Sequence, residues 1–261
     1  MHENRKEWIN LEYVIEEAEI QNNPWLLREP SPFAKARLFC IPYSGCGASM
    51  YRHWPEFIGK IEVCPIQLPG RENRFHEPTY SSYEQLAENF NEALRPYMDR
   101  PFAFFGHCGS ALPSYEASVQ LMRNGGPLPS HLFISSQVAP HEGPYGRFLE
   151  LDDQELAVEI ELLIHKMGGK ALPDIVELNT GIMRSDLEAN RSYKQDCPET
   201  LPFPVTAIGW NRDKEVNPSL LGGWKEYGQA SFKVLDGDHH DFLQAPMELL
   251  STIAEAMRRY I

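Results

Sequence analysis

The sequence predicts an α/β domain, with a mostly parallel β-sheet covered by helices on both faces and a helical insertion over one edge. Short, continuously apolar runs alternate with helix-patterned segments, as expected for strands buried on both faces. The length of 261 residues suits a single well-buried domain of this class. Between residues 140 and 200 the alternation stops, and two helical patterns follow each other with no convincing strand between them.

Each element has its own signal. Residues 1–21 set Trp8, Ile9, Val14 and Ile15 among Glu12, Glu16, Glu17 and Glu19, and read as a short acidic helical extension outside the main pattern. The core is assigned to 22–139 and 201–261. Within it, Ala36–Ile41 and Ile61–Ile66 read as strands bounded by Pro and Gly turn signals. Ser82 to Tyr97 reads as an amphipathic helix, because Tyr83, Leu86, Phe90, Leu94 and Tyr97 recur at three- and four-residue spacing. Ser82 followed by Gln85 fits a capping box at its start. Phe102–Phe105 is a short apolar strand, followed by a helix from about Gly109 to Asn124. His131–Ser135, Pro204–Ile208 and Ser231–Leu235 are further strands, and the last helix runs from Pro246 to Ile261. The insertion, residues 140–200, carries helical patterns near Asp152–Met167 and Asp174–Lys194. Placed after a strand, it would sit over the carboxyl edge of the sheet, where ligands bind in open α/β folds, and it reads as a lid.

Composition narrows the function. A net charge of −13 argues against nucleic acid and against an anionic membrane surface as partners. No apolar run reaches 18 residues, and Met1–Gln21 lacks the apolar stretch of a signal peptide, so a cytoplasmic protein is expected. The five cysteines, Cys40, Cys46, Cys64, Cys108 and Cys197, include no CxxC pair and suit reduced thiols. Their pattern suggests no metal cluster. Cys40 and Cys64 lie inside strands and read as core.

The informative string is Phe102-Ala-Phe-Phe-Gly106-His107-Cys108-Gly109-Ser110-Ala111-Leu112, which sets Gly-x-Cys-x-Ser between a buried strand and a helix. A nucleophile elbow, Gly-x-Ser-x-Gly, has this context, with small flanking residues because its strained turn packs tightly. Such an elbow is the mark of an α/β-hydrolase fold, here with cysteine as the candidate nucleophile. The helix N-terminus would favour its thiolate. Elbow enzymes order nucleophile, acid and base along the chain. Asp213 follows the strand ending at Ile208, and Asp236-Gly-Asp-His239-His240 follows the strand ending at Leu235. Asp213 is therefore the candidate acid. His239 is the first candidate base and His240 the second. The loop Pro42-Tyr-Ser44-Gly45-Cys46-Gly47 and the N–H of Gly109 are the candidate oxyanion donors.

These residues, with Leu38–Gly45, Gln67-Leu-Pro-Gly-Arg71-Glu-Asn-Arg74, Arg184-Ser-Asp186 and Val205–Val216, resemble the type II (stand-alone) thioesterases of polyketide and non-ribosomal peptide assembly lines. The resemblance spans Pro24 to the C-terminus. It implies a Cys108–His239–Asp213 triad, with oxyanion donors at Ser44 and Gly109. The substrate would be a small-molecule acyl thioester on an acyl or peptidyl carrier protein. No cofactor is implied beyond the phosphopantetheine that the substrate brings. Arg184 and Asp186 fall on a lid string read as structural.

The chain departs from the usual Gly-His-Ser-Met-Gly-Ala in reading Gly-His-Cys-Gly-Ser-Ala. Gly109 in place of methionine is expected to widen the pocket. Pro113 is expected to forfeit a ladder hydrogen bond if the helix starts at the elbow. An acyl group on sulfur stays activated, so three outcomes stand: hydrolysis, transfer to an amine, hydroxyl or second carrier, and a non-catalytic carrier-binding partner. Arg71, Arg74, Lys166, Lys170, Arg191 and Lys194 are the candidate docking cations.

Overall fold

The computed structural model describes residues 23–261. The proposed acidic extension, 1–21, lies outside these residues. Among the described residues the strands are β1 (Ala36–Cys40), β2 (Phe57–Ile58), β3 (Ile61–Pro65), β4 (Phe102–His107), β5 (His131–Ser135), β6 (Leu201–Trp210) and β7 (Gly228–Leu235). They form one sheet in the order β2-β3-β1-β4-β5-β6-β7, and only the β2–β3 pair is antiparallel. The helices are α1 (Tyr83–Leu94), α2 (Ala111–Arg123), α3 (Asp153–Lys166), α4 (Pro173–Ser192) and α5 (Met247–Met257).

The predicted two-faced burial is visible residue by residue. Phe39 of β1 and Phe104 of β4 pack into one core with Leu86 and Phe90 of α1 and Tyr115 of α2. Their neighbours Leu38, Cys40, Ala103 and Phe105 point the other way, into a second core with Leu249 and Ile253 of α5. Side chains alternate across a strand, so strands covered on both faces must be apolar at every position. Leu156 and Ile160 of α3 and Met183 of α4 join the second core, which anchors the inserted helices to the body.

Several details depart from the sequence reading. Ser82 caps α1 by accepting from Gln85 N, but the Gln85 side chain turns to Ser81 N and Oγ, so the reciprocal half of the box is displaced by one residue. Strand β6 starts at Leu201, ahead of the expected Pro204. Pro202 and Pro204 cannot donate to the ladder, and the pairing with β7 shifts register between Leu201 and Val205. A run of 3-10 turns, Pro218–Tyr227, carries Leu221, Trp224 and Tyr227 into the first core, although Gly222-Gly223 disguises it in the sequence. Pro113 does no harm. Cys108–Ser110 forms a 3-10 turn and α2 begins only at Ala111, so Pro113 lies in the first turn, where N–H groups lack intrahelical partners.

Candidate active site

Strand β4 delivers the chain to Cys108 at the carboxyl edge of the sheet, and Cys108 takes a left-handed backbone with φ of 52°. That conformation costs an L-residue about 1–2 kcal/mol, so neighbouring contacts must hold it. Gly106 makes the turn possible, because a Cβ there would lie 2.4 Å from the Ser110 carbonyl oxygen and 2.7 Å from Ala111 Cα. Ser110 locks it: its hydroxyl accepts from His107 N and donates to His107 O, both at 2.9 Å. Serine thus substitutes for the usual second glycine by tying the turn together. His107 is buried, hydrogen-bonded through Nδ1 to Ser135 Oγ and stacked on Phe242, and burial holds its pKa well below the ordinary value. It is a neutral packing residue.

Beside the elbow, His239 Nδ1 lies 2.9 Å from Asp213 Oδ2 and 3.1 Å from Oδ1. The carboxylate is fixed by Glu215 N and Val216 N on Oδ1 and by Ser136 Oγ on Oδ2. Burial raises the Asp213 pKa, but the bonds from His239, Ser136 and the backbone outweigh it and hold the group below its ordinary value. Burial likewise lowers His239, yet Asp213 on one side and the Cys108 sulfur on the other raise it to about 10. His240 differs. Burial and the charges of His239 and Lys166 push it down to about 3, and its Nδ1 lies 3.3 Å from Lys166 Nζ, facing no carboxylate partner of this kind. The structure therefore brings Cys108, His239 and Asp213 together and leaves His240 outside that line.

Ser44 and Gly109 meet across the elbow: a Cβ on Gly109 would lie 2.6 Å from Ser44 Oγ. Ser44 Oγ thus stands directly beside the position that the sequence pattern usually gives to methionine. The loop carrying Ser44 is held from the lid. Asp186 of α4, 1% exposed, accepts Gly45 N at 2.8 Å, Tyr80 Oη at 2.6 Å and both terminal nitrogens of Arg71 at 2.8 Å. Arg71 is 2% exposed and Arg74 is also buried, which overturns their reading as surface docking cations. Arg71 is consumed by Asp186, while Arg74 pairs with Glu77 and lies over the Trp25 ring. Arg191 is partly spent too, on Glu188 and the Leu149 carbonyl. Lys166, Lys170 and Lys194 are exposed.

A chamber of about 30 Å³ lies over the elbow, walled by Tyr43, Ser44, Cys108 and His239 from the core and by Leu187 and Asn190 from α4. The inserted helices thus roof the candidate nucleophile. A second cavity, of about 270 Å³, shares Phe148 and His239 with this chamber and is lined also by Leu162, Leu163, Met183 and His240. Arg147, bonded to Glu159 of α3 and to Glu215 after β6, lines both spaces and ties lid to core. Sequence reasoning missed Ser136 and Asn190, and read Asp186 as structural without naming the loop it holds. Ser136 alone left a local trace, as a small polar residue directly after β5.

A nucleophile at a strained elbow, an imidazole aligned by a buried carboxylate, and donor loops beside both are the parts of acyl-transfer chemistry. Comparison with known proteins agrees. A family model described as "Thioesterase domain" matches residues 36–257. The chain is 34% identical over 251 residues to the gramicidin S biosynthesis protein GrsT of Aneurinibacillus migulanus, covering 91% of this chain and 95% of that one. It is 32% identical over 257 residues to the linear gramicidin dehydrogenase LgrE of Brevibacillus parabrevis, covering 95% and 97%. Among solved structures, the type II thioesterase BorB from the borrelidin biosynthetic cluster superposes with a TM-score of 0.78 at 26% identity, over 91% of this chain and 99% of that one. The chain belongs to the thioesterase domain family: it is an α/β-hydrolase-fold enzyme of the type II kind, built to cleave acyl thioesters.

Proposed function

We propose that Cys108 is the nucleophile, His239 its base and Asp213 the group that fixes the His239 tautomer, with Ser44 N and Gly109 N receiving the oxyanion. The observation that carries this reading is the strained Cys108, the one cysteine at a strand-to-helix turn, beside an imidazole whose far nitrogen is bonded to a buried carboxylate. His239 takes the Cys108 proton, the thiolate attacks the thioester carbonyl, and collapse of the tetrahedral oxyanion expels the pantetheine thiol. Water then attacks the acyl-Cys108 and releases the acid. The substrate arrives on the phosphopantetheine of an acyl or peptidyl carrier protein, and the enzyme edits or releases chains in a polyketide or non-ribosomal peptide pathway. Relatives named for gramicidin and borrelidin biosynthesis support this setting. No helix among the described residues is long and apolar enough to cross a membrane, and action in the cytoplasm, beside the carriers, fits that.

The sulfur nucleophile favours a second reading. The acyl-enzyme is itself a thioester and keeps nearly the energy of the substrate, so an amine or second carrier thiol could take the acyl group. Incubation with an acyl-loaded carrier protein separates the readings. Free acid lost in Cys108→Ala and retained at reduced rate in Cys108→Ser supports hydrolysis. Product that forms only with an added acceptor supports transfer, and no turnover at all leaves a carrier-binding partner.

A further inference from the structure

Three buried polar atoms belong to side chains lining the 30 Å³ chamber and have no hydrogen-bond partner among the described residues: Tyr43 Oη, Asn190 Oδ1 and His239 Nε2. The residues are 1%, 4% and 3% exposed. Unpaired buried polar groups are rare, because nothing replaces the water they lose. His239 Nε2 and Tyr43 Oη have the Cys108 sulfur as a neighbour, but acylation takes its proton and charge away, so in the acyl-enzyme all three call for an occupant. The Asn190 amide is beside the elbow, with Nδ2 3.6 Å from where a Gly109 Cβ would stand. The three atoms are also complementary. In the acyl-enzyme, with Nδ1–H given to Asp213, His239 Nε2 accepts; Asn190 Oδ1 accepts; the Tyr43 hydroxyl donates. One water molecule donates two hydrogen bonds and accepts one from such a set. A water needs roughly 10–15 Å³ of such space, so the chamber has room for one.

We propose that Asn190 and Tyr43 hold the hydrolytic water against His239 Nε2 for deacylation of Cys108. The inference rests on the acyl-Cys108 reading above. In the step it describes, His239 Nε2 takes one water proton as the water oxygen bonds to the acyl carbonyl carbon. The tetrahedral oxyanion collapses, the C–S bond breaks, and Cys108 leaves as thiolate and recovers the proton from His239. Acyl-Cys108 plus water thus gives the free acid and the resting thiol. Timing follows from the same contacts. The Cys108 sulfur is one reason His239 is raised to about 10, and an acylated sulfur no longer contributes, so His239 becomes a proton acceptor when the water must be deprotonated. Burial and the nearby Cys108 push the Tyr43 hydroxyl well up, which keeps it a donor.

The test follows acyl-Cys108 by rapid-quench intact mass with butyryl-pantetheine, in wild type, Asn190→Leu and Tyr43→Phe. The release burst of pantetheine thiol, which reports acylation, should be unchanged. Decay of the adduct should slow roughly ten-fold, the scale of one hydrogen bond. Hydroxylamine brings its own nucleophile, so it should restore turnover and raise the hydroxamate-to-acid ratio in the variants by the same factor. Unchanged decay in both variants, or a burst that slows in step with decay, overturns the water site. Should Asn190→Leu fail to fold, Tyr43→Phe, which removes one hydroxyl, decides alone. If wild type and Asp213→Asn never carry an adduct, the acyl-enzyme reading itself fails; an adduct that decays equally in all proteins sinks only the water site.

Discussion

Asp186→Asn isolates the buried ion pair that joins lid and oxyanion loop. The substitution keeps the shape of the side chain but removes its charge, and an amide nitrogen must face a donor. Four donors converge on this carboxylate: Arg71 Nη1 and Nη2, Tyr80 Oη and Gly45 N. Arg71 stays 2% exposed and charged, with backbone carbonyls of Pro69 and Cys46 as its remaining partners. Stranding one member of a buried pair costs about 3–5 kcal/mol. At about 2–4 °C per kcal/mol for a domain of this size, Tm should fall by roughly 6–20 °C. A paired Arg71→Met/Asp186→Leu variant removes both charges, and such replacements are neutral or stabilising in other proteins, so most of the lost stability should return. Activity should not return, because Gly45 N has still lost the acceptor that holds the Ser44 loop. Thermal unfolding and thioester hydrolysis, measured on the wild type and both variants, check this. An Asp186→Asn loss under about 1 kcal/mol, or full activity in the paired variant, would mean that Asp186 does not hold the Ser44 loop in place.

Other outcomes follow from the site. His239 is raised from 6.5 to about 10, so its protonated pairing with Asp213 stabilises the fold fully below pH 6.5 and is lost progressively as pH rises from 6.5 to about 10. Urea midpoints across that window should fall for wild type and stay flatter for His239→Gln. Ser136→Ala removes the hydroxyl that donates to Asp213 Oδ2, and should lower kcat by roughly two- to ten-fold with little change in KM. Gly106→Ala meets backbone at 2.4 Å and should cost about 1–3 kcal/mol in denaturant melts. Gly109→Ala meets only the rotatable Ser44 hydroxyl, so it should cost under about 1 kcal/mol while slowing acylation.

The fold and the line of the site were legible because their signals are local. Apolar runs mark strands covered on both faces, and Gly106-His107-Cys108 sits where strand pattern gives way to helix pattern. Asp213 and His239 each follow a strand end, so chain order alone puts them on one edge. The choice between His239 and His240 was not local, since it depends on which ring reaches Asp213. Arg71 misled for a related reason: a cation in a Pro-Gly turn reads as solvated, and its partner Asp186 lies 115 residues away. Asn190 sits on a lid helix whose pattern gives no hint that one side chain reaches Gly109. The approach of Ser44 to Gly109 joins positions 65 residues apart, and no spacing rule links them.

Passage of the acyl group through Cys108 can be observed directly. The most direct measurement is intact mass and peptide mapping of Asp213→Asn after brief exposure to butyryl-pantetheine, with deacylation slowed by the misaligned His239. A single butyryl adduct is expected on the peptide containing Cys108, and none in Cys108→Ala. An adduct on Cys46 or Cys197 instead, or free acid formed at wild-type rate by Cys108→Ala, would contradict it.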